Sequence, residues 1–147
     1  MAPTAWFLAA ATGVLVSGYV HYYLYFEGGY RGIHPDTILG LTISRSFILN
    51  AAAAVVIAES LVVAHRWPTW TLPAAAAAVA FAAGTLAAYT LTRTTGFLGF
   101  SDNQHATAAV IAVTAEIIAF AASAGVLVTR VRARSTTRPR CNVEPAV

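Results

Sequence analysis

A chain of 147 residues that is 58% hydrophobic and only 10% charged lies far from a soluble domain, in which about a quarter of residues carry charge. The solvent that suits it is lipid, and four spans of about 20 residues each use most of the chain, so no second, soluble domain is expected within these residues. A net charge of +3 comes from arginines concentrated at span edges and in the terminal tail, so topology explains it without nucleic acid; the single cysteine, Cys141, excludes an internal disulfide or cysteine cluster.

The first apolar segment, 5–26, is expected to be a retained span. No Lys or Arg precedes it, and it ends in aromatics and not in a small-residue cleavage site. Gly13, Ser17 and His21 recur within it at i, i+4 spacing, a small stripe leading to an imidazole that suits a face turned into a bundle. Residues 27–40, rich in Gly, Pro and charge, read as a loop, and His34-Pro35-Asp36 as a turn whose aspartate caps the segment after it. The second span, 41–64, carries Arg45, Asn50 and Glu59. At 100° per residue Arg45 and Glu59 share one face but stand about 21 Å apart along the axis, too far to pair, and Asn50 points away from Glu59. Glu59 lies close enough to the nearer interface to reach towards Arg66 or headgroups.

The tight turn His65–Pro68 leads into the third span, 70–92, whose alanines leave little side-chain bulk on any face. After a second loop, 94–105, in which Asp102-Asn103 reads as a helix start, the fourth span covers 106–129, and 130–147 is expected to be a disordered basic tail. Glu116 sits near the middle of the fourth span, about 15 Å from either end. A carboxyl there costs about 3 kcal/mol on insertion scales unless it is satisfied, so it is either a protonated group bonded to Thr114, Ser123 or Asn50 or a working one.

Arginine counting sets the orientation. Arg66, Arg130, Arg132, Arg134, Arg138 and Arg140 lie on one side and Arg31 and Arg93 on the other, which puts both termini in the cytoplasm. Trp67 and Trp70 then mark the inner interface, and Tyr22, Tyr23, Tyr25, Phe26 and Tyr30 the outer one. The expected fold is all-α: a four-transmembrane-helix bundle of two antiparallel hairpins in the bacterial inner membrane.

Candidate site residues fall into two groups. His21, Arg45, Asn50, Glu59 and Glu116 are polar groups within spans, with His21 and Arg45 at similar depth and able to share an outer pocket. Glu27, Tyr30, Arg31, His34, Asp36, Asp102 and His105 gather on the outer loops. No H-x-x-x-H or H-E-x-x-H pattern occurs, so no metal is expected. Haem would need two facing imidazoles, for which His21 with His105 is the conceivable pair.

Gly29-Tyr30-Arg31-Gly32-Ile33 after the first span is echoed by Gly96-Phe97-Leu98-Gly99-Phe100 after the third, as in two parallel repeats. The stretch His21–Arg31 together with Gly96–Phe100 resembles small four-span actinobacterial membrane proteins of unassigned function. The resemblance implies the topology and no chemistry. In size the chain is also similar to DoxX-like four-helix proteins.

Three functions suit these features. The first is a non-catalytic accessory or assembly subunit of a larger inner-membrane complex, respiratory or transport-related, whose partners are the lipid bilayer and other integral subunits. The second is a membrane protein holding quinone, lipid or haem in an outer-half pocket. The third is an oligomeric proton or ion pathway built on Glu116.

Overall fold

The computed structural model describes residues 4–33, 41–101 and 107–136. Four long helices account for most of them: α1 (Thr4–Phe26), α2 (Ile43–Arg66), α3 (Thr71–Thr94) and α4 (Thr107–Thr136). Each is long and apolar enough to cross a membrane. Single turns of 3₁₀ helix stand at Tyr30–Gly32 and Pro68–Trp70, and no strand occurs among the described residues. The end of the bundle at which residues 27–42 and 95–106 join the helices is its loop end, and the opposite one its turn end.

Local chemistry sets the boundaries. Thr42 caps α2, its hydroxyl accepting from the Arg45 N–H at 3.1 Å. Trp67 adopts an extended conformation ahead of Pro68, which cannot continue the helix. Pro73 lies in the first turn of α3, where no helical N–H is required of it. α3 closes at Gly96, whose φ of 86° lets its N–H reach back to the Leu91 carbonyl at 2.8 Å.

α1 is the central helix, packing extensively on both α2 and α4; α3 packs on α4, and the α2–α3 interface is the smallest between sequential helices. Phe7 stacks near His65 and His21 near Phe47, so the start of α1 lies beside the end of α2 and the reverse. Two glycines set how closely α1 approaches its neighbours. A Cβ on Gly13 would stand 2.6 Å from the Ala115 carbonyl oxygen, and one on Gly18 would overlap the Ala54 Cβ.

The distribution of side-chain size is the reverse of a soluble bundle. The core is built mainly of alanine (Ala10, Ala54, Ala58, Ala75, Ala78, Ala82, Ala119), with Val14, Leu61 and Val126 as its largest fully buried apolar side chains. Leu8, Leu15, Leu49, Val56, Val62, Ile117 and Ile118 face outwards. Water would drive these bulky groups inwards, whereas lipid does not, and small residues then let the backbones close up.

The chain departs from expectation at its basic tail. Residues 130–136, expected to be disordered, continue α4. Arg130 donates through Nη2 to the Pro68 carbonyl at 2.9 Å, tying this extension to the α2–α3 turn, while the Ser135 and Thr136 hydroxyls bond back to the carbonyls of Arg132 and Ala133.

Candidate functional site

The helices part in the loop half of the bundle, where a cavity of about 380 Å³ receives residues from all four. Glu116, Ser17 and Thr85 each lie about 14 Å from the loop end of their own helices, so three separate elements meet at one level. Ser17 is completely buried and Glu116 is 2% exposed. The Ser17 hydroxyl donates to Glu116 Oε1 at 2.8 Å, and the Thr85 hydroxyl faces the same carboxyl from α3.

This bond departs from the habit of the chain. Ser60, Thr85, Thr90, Thr114 and Thr129 all donate to the carbonyl four residues back in their own helix, the usual refuge of a hydroxyl in an apolar span. Ser17 instead directs its proton across the α1–α4 interface. Glu116 therefore does not bond the residues named from sequence. Thr114 is about 200° round α4 and exposed, its hydroxyl held by the Val110 carbonyl, and Ser123 shares the face but lies about 10 Å further along the axis. The Ser123 hydroxyl is buried without a bonding partner among the described residues.

One turn above Ser17, His21 Nδ1 stands 2.8 Å from the Ser17 carbonyl oxygen. A carbonyl only accepts, so Nδ1 carries the hydrogen and Nε2 is the ring's lone-pair position. The imidazole lies 5.2 Å from the Phe47 ring. Tyr30 completes the roof, with its centroid 4.6 Å from Phe47 and 5.5 Å from Phe100. Phe97 and Phe100 exchange backbone hydrogen bonds of 2.8 and 2.9 Å around Leu98-Gly99, whose φ angles of 51° and 67° are both left-handed. A left-handed leucine costs about 1–2 kcal/mol. Burial of the Leu98 side chain holds it there, and the turn sets both phenylalanines against the cavity. Ala80 and Gly84 line the same space while remaining exposed, so the cavity opens through the flank of α3.

The residues named from sequence scatter accordingly. His21, Asn50 and Glu116 meet at the cavity, and Tyr30, placed among the outer-loop residues, is part of its roof. Arg45, expected to share an outer pocket with His21, is exposed on α2 and does not line the cavity. Glu59 is exposed in the other half of the bundle. Glu27 and Arg31 are exposed, the Arg31 carbonyl accepting from Ser44 at 2.9 Å. His34, Asp36, Asp102 and His105 lie outside the described residues, as does therefore the second imidazole of the conceivable haem pair. Among the described residues no three metal-binding side chains gather.

Comparison with known protein families, curated proteins and solved structures finds no match to this chain. Its reading rests on the cavity. Sequence reasoning missed Ser17 as the partner of Glu116, and with it Thr85, Phe47 and the exposed flank at Gly84. The signal was present for one of them: Ser17 belongs to the small stripe that ends at His21.

Proposed function

We propose that the protein is a multi-pass membrane protein of two antiparallel helical hairpins, with both termini cytoplasmic, that receives an amphipathic small molecule from the bilayer into the outer-half cavity. The polar end of the ligand meets Glu116, Asn50 and His21, and its apolar body lies under Tyr30, Phe47 and Phe100. The observation that carries this reading is the meeting of a buried carboxyl, its cross-helix donor and an imidazole in a cavity of about 380 Å³ open at the side. Pockets of such a size, mostly apolar with a few convergent polar groups, are the usual form of small-molecule sites. Quinones and single-chain lipids belong to the class that would enter laterally.

The test uses purified protein in mild detergent. A Cβ at Gly84 meets nothing within 4 Å, so Gly84→Phe can be attached there without a clash at the backbone and carries a ring to the cavity mouth. Mass spectrometry of an organic extract is expected to find an amphipathic molecule near one per chain in the wild type and none in Gly84→Phe at equal melting temperature. Equal yields from both proteins, or an empty wild type, would count against the reading.

One observation favours the accessory-subunit reading as a second possibility. Glu59 is exposed about 10 Å from the turn end of α2, on a helix whose Val55, Val56, Val62 and Val63 are exposed too. A carboxyl on an apolar surface at that depth gains from a basic or hydrogen-bonding group on another chain. Pull-down from native membranes should then recover a stoichiometric partner that is lost with Glu59→Gln; recovery unchanged by the substitution removes this support.

A further inference from the structure

Resting on the ligand-binding reading, the donor inventory of the cavity floor says what kind of ligand it suits. The Ser17 proton is committed to Glu116 Oε1. The Thr85 proton is committed to the Phe81 and Ala82 carbonyls, each 3.0 Å away, and the His21 Nδ1 hydrogen to the Ser17 carbonyl. With Glu116 ionised, what remains on these floor groups is acceptor character, the second Glu116 oxygen and His21 Nε2, while Tyr30 and Tyr89, which carry hydroxyls, line the cavity above them. Asn50 both donates and accepts and so discriminates little. No arginine among the described residues lines the cavity; Arg93, two turns above Thr85 on α3, lies over the Tyr89 ring at 5.2 Å. Above the floor stand the faces and edges of Tyr30, Phe47 and Phe100, and ring faces attract cations, the more so where water is excluded.

A carboxyl that has no cationic partner among the described residues, beneath aromatic rings and with the Ser17 donor already spent on it, is complementary to a positive charge carried on an apolar body. We propose that the ligand of this cavity is an amphipathic organic cation, a substituted ammonium whose charge sits between Glu116 and the aromatic roof. A quinone is a poorer match, since with Glu116 ionised its carbonyls find no uncommitted donor on the floor except the Asn50 amide.

Two isosteres separate charge from shape. Benzyltrimethylammonium and neopentylbenzene differ in a quaternary nitrogen against a quaternary carbon, and either is small enough for a cavity of about 380 Å³. Titrated into the full chain in phosphatidylcholine nanodiscs, the cation is expected to bind at least tenfold more tightly than the hydrocarbon. Glu116→Gln, which keeps an oxygen to accept from Ser17, should bring the two within about twofold of each other. Phe47→Leu should weaken the cation about threefold or more and leave the hydrocarbon near its wild-type affinity, because it removes the ring face at modest change in apolar volume. This variant serves as the test should Glu116→Gln fail to fold. Gly84→Phe should weaken both compounds. Equal wild-type affinities, with both still sensitive to Gly84→Phe, overturn the cationic ligand and leave the cavity reading standing. A cation preference untouched by Glu116→Gln and Phe47→Leu overturns it as well. Binding of neither compound overturns both readings.

Discussion

Gly13→Ala is expected to cost the bundle about 2 kcal/mol, although alanine is the better helix former. The new methyl would meet the Ala115 carbonyl oxygen at 2.6 Å, the Ala119 nitrogen at 3.0 Å and the Ala119 Cβ at 3.1 Å. Two of these are backbone atoms of α4, so the strain is relieved only by moving one helix away from the other. Gly125→Ala offers a contrast, since its methyl would overlap the ring of Trp6, a half-exposed side chain near the start of α1 that can swing aside. Gly84→Ala meets nothing and should raise stability by roughly 0.5–1 kcal/mol, the propensity difference alone. The expected order in an SDS unfolding titration followed by circular dichroism is Gly84→Ala, wild type, Gly125→Ala, Gly13→Ala, from most to least stable. Gly13→Ala matching Gly84→Ala would mean that α1 and α4 do not touch as described. Because Ser17 stands one turn from Gly13, the same displacement should also weaken ligand binding, which Gly125→Ala should leave unchanged.

How far the site was legible in the sequence depends on what each residue's neighbours in the chain disclose. The four helices are legible because hydropathy and length are local properties, and the structure shifts their limits by a few residues except at the end of α4. That end was hidden because its stabilising contact, Arg130 with the Pro68 carbonyl, joins residues 62 positions apart. Glu116 is legible by depth alone, and so is the inward turn of the stripe from Gly13 to His21. The partner of Glu116 is not, since Ser17 is 99 positions away and nothing local to either residue indicates the pairing. Arg45 illustrates the opposite difficulty. A span whose few polar residues fall on opposite faces, as Arg45 and Asn50 do in α2, does not reveal which side meets its neighbours, so a residue at the depth of His21 could lie in the pocket or, as it does, outside it. The aromatic roof was half legible: Tyr30 and Phe100 occupy the glycine-flanked segments that echo one another, but their contact with Phe47 belongs to the tertiary fold.

Ser17 and Glu116 are expected to be coupled by about 1–2 kcal/mol, above the roughly 0.6 kcal/mol average of side-chain hydrogen bonds between membrane helices. Ser17→Ala alone removes the hydroxyl that satisfies a carboxyl only 2% exposed and should cost about 1–3 kcal/mol. Glu116→Leu alone leaves a serine that can bond the Gly13 carbonyl four residues back, as the other span hydroxyls do, so its cost should be small. The double variant removes both polar groups together and should lie near wild-type stability, since replacing a buried pair by apolar groups is often close to neutral. Unfolding titrations of the four proteins close this cycle, and a coupling near zero would reduce the pair to an incidental contact. Ligand binding gives the complementary readout. The double variant, folded yet without its carboxyl, should fail to distinguish benzyltrimethylammonium from neopentylbenzene. That result would mean that the fold can dispense with the carboxyl whereas charge selection cannot, as the proposed cation site requires.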